Sequence, residues 1–331
     1  MGAGLPTTAR ARRIAVRVER RPGHAHLLEQ CEGPDGRAGP LQFGVPPAEA
    51  DLVLSIGLPV GPEGRPRARL PARLRPGRGH EERLARDRAH RAFDRAGIPP
   101  ERLWVLFMEP PGFVSDAVYE VAAARAARVY GPDVRAPRPI ALPAGWSEHL
   151  PRADLLAFAP PPKTGPLGWV TSGQARLYGH KARLRFARLL RQAGLPLHLE
   201  GRDLPPELGG TGACPSKWAA MVRSRLVLAV ENSVEDPRYV TEKFWDPLLA
   251  WSVPLYFGSP WVERWVPAGA FVRLPDLDEG GVETVRAALA DEGLHARCLP
   301  AIAEARRRIL GPLRTVEWLA RELGHPPTPP A

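Results

Sequence analysis

The residues best suited to chemistry lie between Leu226 and Pro260. An apolar run, Leu226 to Val230, ends in three polar residues, Glu231, Asn232 and Ser233. A short apolar run of this kind predicts a buried strand, which delivers the three polar groups to its carboxyl end. Tyr239 follows, two residues before Thr241, and Thr241 is a good N-cap for a helix that begins Glu242-Lys243. Phe244, Trp245, Leu248 and Leu249 share one face of that helix and should pack on a sheet. Lys243 projects nearly opposite that face. A lysine in a helix's first turn opposes the macrodipole unless an anion is present, and phosphate at a helix N-terminus is the usual remedy. Glu242 beside it can accept hydrogen bonds from a ribose or sugar diol. The plainer alternative is a solvated Glu-Lys pair on a surface helix. The order strand, polar triplet, Tyr, cap, Glu-Lys favours a nucleotide-sugar site.

A sheet with helices on both faces must position these groups. Strands are expected at 13–18, 51–57 and 103–108 in the first half, with helices at 81–96 and 116–129. Residues 58–78 read as a long loop, and 131–165 carry a dense set of prolines that marks an interdomain linker. The second half alternates more clearly. Strands at 167–171, 197–199, 226–230, 253–257 and 270–272 are interleaved with helices at 180–193, 218–222 and 241–250, and helices at 281–291, 295–310 and 315–323 close the chain. Such alternation requires a mostly parallel sheet. Ligands then bind beyond the carboxyl ends of the strands, so the loops after Val230 and Phe257 are where chemistry is expected. The fragments Gly2-Ala3-Gly4 and Gly210-Thr211-Gly212 lack a third glycine, which excludes a dinucleotide fingerprint.

Composition narrows the classes. The 331 residues are 44% hydrophobic and 25% charged, as expected of a packed globular chain. A formal charge of +10 suits polyanionic partners, but no zinc spacing, RNP-type run or heptad accompanies it, so nucleic acid is not the expected partner. Cys31, Cys214 and Cys298 are far apart and form no CxxC pair, which suits reduced thiols in the cytoplasm. Met1 to Arg13 lacks the apolar core of a signal peptide, and no apolar run is long enough to span a bilayer. A peripheral membrane contact stays compatible with the charge.

Three motifs in order carry a family resemblance: Leu228-Ala229-Val230-Glu231-Asn232-Ser233, then Tyr239-Val240-Thr241-Glu242-Lys243-Phe244-Trp245, then Val253-Pro254-Leu255-Tyr256-Phe257-Gly258-Ser259-Pro260. Together they resemble the donor-site signature of the family-ten glycosyltransferases, the α1,3/α1,4-fucosyltransferase family. Five residues separate Ser233 from Tyr239, one more than the family spacing. Upstream, Trp169-Val170-Thr171-Ser172 is similar to the first strand of the family's donor domain. Arg183, with Phe186 and Leu190, is similar to its arginine-initiated helix, in which the arginine meets the diphosphate. A guanidinium suits that role, because its fork binds phosphate oxygens and keeps its charge. Arg176, Arg185, Arg188 and Arg191 are close in sequence, so Arg183 is not singled out by charge alone. The strand ending at Met108 delivers Glu109 just before Pro110-Pro111. This resembles the family's Glu-x-Pro motif, whose glutamate takes the proton of the acceptor hydroxyl, and Asp116 and Glu120 are the alternative bases nearby.

The resemblance implies a GT-B-like α/β fold, two Rossmann-like domains facing across a cleft. Its expected division is an acceptor-side domain over 1–150, a linker over 151–165, a nucleotide-sugar domain over 166–312, and a helix with a disordered Pro-rich tail over 313–331. It implies inverting transfer of fucose from GDP-fucose to a glycan hydroxyl, with Glu109 as base. Arg183 and Lys243 would stabilise the departing GDP, and Glu231, Asn232, Ser233, Tyr239, Thr241 and Glu242 would hold the donor. In the resemblance, basic side chains take the place of a metal at the diphosphate, so no metal and no other cofactor is expected. Another GDP-sugar in the same fold, or a catalytically silent nucleotide- or glycan-binding module, are the competing readings.

Overall fold

The computed structural model describes residues 11–18, 25–59, 78–147, 150–175, 178–210, 212, 214, 216–234 and 236–325. The Gly2-Ala3-Gly4 fragment, residues 60–77 of the expected loop, Arg176, Thr211 and the proline tail from Pro326 lie outside them.

Seven strands form the first sheet: β1 (Arg12–Val18), β2 (Arg37–Ala38), β3 (Leu41–Phe43), β4 (Leu52–Ile56), β5 (Leu103–Leu106), β6 (Arg128–Gly131) and β7 (Arg138–Pro139), in the order β2-β3-β1-β4-β5-β6-β7. All neighbours run parallel except β2 and β3. The helices of this unit are α1 (Ala25–Leu28), α2 (Arg78–Ala96) and α3 (Asp116–Arg125). The helix expected to run to Val129 stops at Arg125, and the chain re-enters the sheet as β6. The proline-dense stretch from 131 is not all linker, since β7 pairs with β6 and completes the first sheet. The segment 151–165 contains a short helix, α4 (Arg152–Ala157).

The second sheet is wholly parallel: β8 (Gly165–Val170), β9 (Leu197–Glu200), β10 (Ser224–Val230), β11 (Val253–Phe257) and β12 (Val272–Arg273), in the order β12-β11-β10-β8-β9. Around it lie α5 (Tyr178–Gln192), α6 (Lys217–Val222), α7 (Glu242–Leu249), α8 (Glu279–Ala290) and α9 (Leu294–Ile309). Strand order reverses next to β8, so the carboxyl ends of β8 and β10 flank the crevice where such sheets bind ligands. Phe244, Trp245, Leu248 and Leu249 are all buried, so α7 packs through the face its spacing predicts.

The last helix, α10 (Thr315–Glu322), belongs to the first unit in space. Val316, Trp318, Leu319 and Ala320 complete the core formed by β1, β3 and β5. Trp318 meets Tyr130 edge-on at 5.0 Å, and the Tyr130 hydroxyl donates to Glu322 Oε2 at 2.7 Å. The joint is polar and satisfied. Gln30 Oε1 accepts from the Thr315 amide at 2.8 Å, and buried Arg314 donates to the Gln30 carbonyl and to Glu317. Among the described residues no helix is long and apolar enough to cross a membrane.

Candidate functional site

At the carboxyl end of β10, the strand backbone turns Glu231 inward. Its side chain is fully buried. Glu231 Oε1 accepts from the Thr241 amide at 2.7 Å, and the Thr241 hydroxyl reaches Oε2 at 2.9 Å. The same hydroxyl accepts from the Lys243 amide at 3.3 Å, which caps α7 as the sequence predicts. Glu231 therefore fixes the start of α7 and does not open onto the cleft. Burial pushes its carboxyl above the usual carboxylate range, and Lys243 and Thr241 pull against that push.

Lys243 folds back over this helix start. Its Nζ lies 3.1 Å from Thr241 Oγ1, 3.4 Å from Glu242 Oε1 and 3.6 Å from Glu231 Oε2. Burial and the nearby Arg183 oppose the ammonium charge, but Glu242 and Glu231 outweigh them and hold its pKa above the ordinary value. Burial also acts against the charge of Glu242, yet Lys243 and Lys217 keep that carboxylate below its usual range. Glu242 and Lys243 are half-buried and ionised, not a solvated surface pair.

On the same unit, α5 brings Arg183 to this place. Arg183 is 4% exposed and donates to Asn232 Oδ1 at 2.5 Å, while its Nε is buried without a partner. Burial lowers its pKa, and Tyr239 and Glu231 act to keep it charged. The Asn232 amide in turn hydrogen-bonds the Tyr239 phenol. Arg183, Asn232 and Tyr239 thus form one polar chain, with half-buried Ser233 beside it.

Two glycines make these approaches feasible. A Cβ at Gly179 would lie 2.1 Å from the Asn232 carbonyl oxygen, so only glycine lets α5 begin against that loop. A Cβ at Gly258 would meet the Tyr256 hydroxyl at 2.3 Å and Glu231 Cγ at 2.7 Å. The Tyr256 hydroxyl instead accepts from the Ser259 amide at 3.0 Å.

The first unit contributes Glu109, exposed just past the end of β5. Burial raises the Tyr239 phenol well above its usual value, and the charges of Glu231, Glu242 and Glu109 add to that rise. The charge of Glu109 is therefore felt at Tyr239. Of the alternative bases, Asp116 pairs with Arg135 at 2.9 Å and Glu120 with Arg86 at 2.5 Å. The loop carrying Glu109 is braced by Asp133, which accepts from the Gly112 amide at 2.9 Å and from Arg135. Burial works against the Asp133 carboxylate, but the hydrogen bonds from Arg135 prevail and hold its pKa down to about 2. Among the described residues no cluster of three or more His, Cys, Asp or Glu side chains is arranged to hold a metal ion.

The second unit has similarities to known proteins. Residues 161–281 match the family model described as Glycosyltransferase family 10 (fucosyltransferase) C-term. This part of the chain is similar to the carboxyl-terminal domain of the family-ten glycosyltransferases. Among curated proteins, the chain is 34% identical over 104 residues to GDP-fucose protein O-fucosyltransferase 3 of Mus musculus, covering 26% of this chain and 21% of that protein. It is 40% identical over 73 residues to the protein of that name from Xenopus tropicalis, covering 21% of this chain and 15% of the relative. The matched segment is thus a minor part of these relatives. The structure of T4 phage BGT in complex with UDP and Mn2+ superposes with a TM-score of 0.51 at 9% identity, covering 94% of this chain and 99% of that one. The likeness extends over both units, and the fold is GT-B.

The second unit also holds groups that its motifs do not announce. Asp246, one turn beyond Glu242, is buried and accepts from the Ser147 amide at 3.2 Å and from the Ser147 hydroxyl. Burial, then the charge of Glu242, pushes its pKa up to about 7. The longer loop before Tyr239 contains buried Asp236, which receives the Arg238 amide at 2.9 Å and the Arg238 guanidinium at 2.7 Å. Asp246 stands outside the arc of Phe244, Trp245, Leu248 and Leu249, so the helix pattern gives no signal for its burial. The additional loop residue was the signal for Asp236 and Arg238.

Proposed function

We propose that this protein is an inverting glycosyltransferase that moves fucose from GDP-fucose to an acceptor hydroxyl. One observation carries the reading: buried Arg183 and half-buried Lys243 oppose each other's charge beside the N-terminus of α7, and Arg183 keeps a buried donor unpaired. Glu231 and Glu242 already accompany Lys243, so it is the unpaired donor of Arg183 that leaves a place for a further anion, and a diphosphate supplies it.

In this reading the acceptor hydroxyl attacks the anomeric carbon from the first-unit side, and GDP departs on the opposite face. Glu109 accepts the hydroxyl proton as the new bond forms. Negative charge accumulates on the diphosphate, where Arg183 and Lys243 already stand and need little reorganisation. Glu242 accepts from the ribose diol. Asn232, Ser233 and Tyr239 orient the donor, and Glu231 acts through Thr241 to hold α7 in place. No metal is given a role, since the basic side chains serve the leaving group. Three free cysteines, two of them buried, support a reducing compartment such as the cytoplasm.

The acceptor takes one of two forms. The motif-based reading gives a glycan hydroxyl in an α1,3/4-type linkage. The names of the aligned relatives favour a second, a protein side-chain hydroxyl.

A thermal-shift panel of GDP-fucose, GDP-mannose, UDP-sugars and CMP-sugars tests the donor. GDP-fucose should stabilise most; preference for a UDP-sugar would overturn the reading, and preference for GDP-mannose would change the sugar. Incubation of the enzyme with labelled GDP-fucose and oligosaccharide or peptide acceptors, read by mass spectrometry, separates the acceptors. GDP binding with no transfer or hydrolysis of any GDP-sugar would leave only a binding module.

A further inference from the structure

We infer that Arg238 is a positioning residue that clasps the two domains together beneath the reacting atoms, setting the distance from Glu109 to the donor. The inference rests on the transferase reading above and concerns a residue outside the donor motifs.

Arg238 lies in the loop that is one residue longer than the family spacing. Its Nε donates to the Pro132 carbonyl of the first unit at 3.1 Å. Its terminal nitrogen donates to Asp236 Oδ2 at 2.7 Å, so the guanidinium is oriented by a buried carboxylate of its own loop. The Arg238 carbonyl accepts from the Leu142 amide at 3.1 Å, a second bond into the segment that leaves the first unit. The loop is also held from the second unit, because buried Ser259 donates its hydroxyl to the Pro237 carbonyl. Arg238 thus spans a loop anchored on both sides.

The clasp positions the adjoining residue, Tyr239. This side chain is 2% exposed and packs into the hydrophobic core of the first unit, with Leu142 and Trp318. Its phenol meets Asn232 of the donor site and lies within reach of the Glu109 charge. Pro132 comes directly after β6, and Asp133 beside it braces the Glu109 loop through Gly112. A line of contacts therefore runs from Glu109 through Gly112, Asp133 and Pro132 to Arg238, Tyr239 and Asn232. Catalysis across a cleft depends on such registration, and a misplacement of about 1 Å can cost ~100-fold in rate.

The experiment compares Arg238→Met with the wild-type full chain, measuring GDP affinity by calorimetry and fucose transfer by steady-state kinetics. The expected result is a kcat lowered by ~10-fold or more, with the Kd for GDP within about twofold. Arg238→Lys, which keeps one charged donor, should recover part of kcat. Arg238→Gln serves as the test should the Met variant not fold. A Kd that weakens by the same factor as kcat would overturn the clasp, because the loop would then serve only the nucleotide. Unchanged kcat and Kd would overturn it as well. Wild-type protein that bound no GDP would instead overturn the transferase reading, so the two failures are distinct.

Discussion

On the donor wall of the cleft, Glu231, Thr241, Lys243, Arg183, Asn232 and Tyr239 are buried or half-buried and bonded to one another. On the facing wall, Glu109 stands exposed at the end of β5, and its loop is braced from behind by Asp133 and Arg135. The donor wall resembles a core: each side chain has few alternatives, because a neighbour would be left with an unpaired group in a dry place. The acceptor wall is constrained mainly by whatever binds there. A nucleotide diphosphate is a fixed object and can be met by a prebuilt site, whereas the acceptor's shape must be matched by exposed loops.

The largest effect should come from the exposed wall. Glu109→Gln removes the proposed proton acceptor while keeping size and polarity, and kcat for transfer should fall ~100- to 10,000-fold. Its Kd for GDP, measured by calorimetry, should hardly move. A comparable loss of GDP affinity would mean that the two walls do not divide the labour between base and donor.

Next in size are the cations of the buried wall. Lys243→Met and Arg183→Lys should each lower kcat/KM for transfer by ~100- to 1000-fold. Unlike the Glu109 variant, both should also weaken GDP binding, since each loses a phosphate partner. Arg183→Lys keeps the charge but loses the fork, and leaves Asn232 with a poorer donor. Variants that bound GDP normally would remove these cations from the diphosphate site.

The same contrast explains what could be read in advance. The segment Leu226 to Pro260 was legible because burial ties residue type to position: an apolar strand, a polar triplet, a cap and a charged first turn each have a local physical reason. The inner strands β8, β10 and β11 are legible for the same reason, but β12 is two half-buried residues at the edge, and of the strand expected at 270–272 only Val272 belongs to it. The first unit was read less completely. Its strands β2, β3 and β7 are two or three residues long and owe their place to neighbouring strands. β6 was hidden behind an alanine-rich helix whose propensity gives no sign of stopping at Arg125. The return of α10 to the first unit is fixed by contacts to Gln30 and Tyr130 that are distant in sequence. Asp246 and Arg238 fall in the same class, because their partners, Ser147 and Pro132, are about 100 residues away.

A smaller effect tests the cost of the buried wall's charges. Asp246 has a folded pKa of about 7 against 3.8 for the free side chain, raised first by burial and then by Glu242. A carboxyl whose folded pKa is raised favours the folded state in its protonated form. That contribution is complete below pH 3.8 and is lost as pH rises toward and through 7. Asp246→Asn mimics the protonated form and can still meet both the Ser147 amide and hydroxyl. The variant should match wild type near pH 4 and be more stable at pH 8, by on the order of 2 kcal/mol. Denaturant melts at the two pH values check this. A variant that is less stable at pH 8 would show that the ionised carboxylate is itself a favourable partner of Ser147.

The smallest effect concerns the point where the two walls meet. Tyr239→Phe leaves the ring in the core of the first unit and removes only the hydroxyl bonded to Asn232. Asn232 would still accept from Arg183, so the loss should be that of one neutral hydrogen bond, about 1 kcal/mol. Because that bond links the core-anchored ring to the donor chain, the loss should fall on kcat/KM, by about fivefold, more than on thermal stability. A change in melting temperature without a kinetic change would make Tyr239 a packing residue that happens to stand in the cleft. A kinetic loss as large as that of Lys243→Met would instead place its hydroxyl in direct contact with the donor, and shift the boundary between the two walls by one residue.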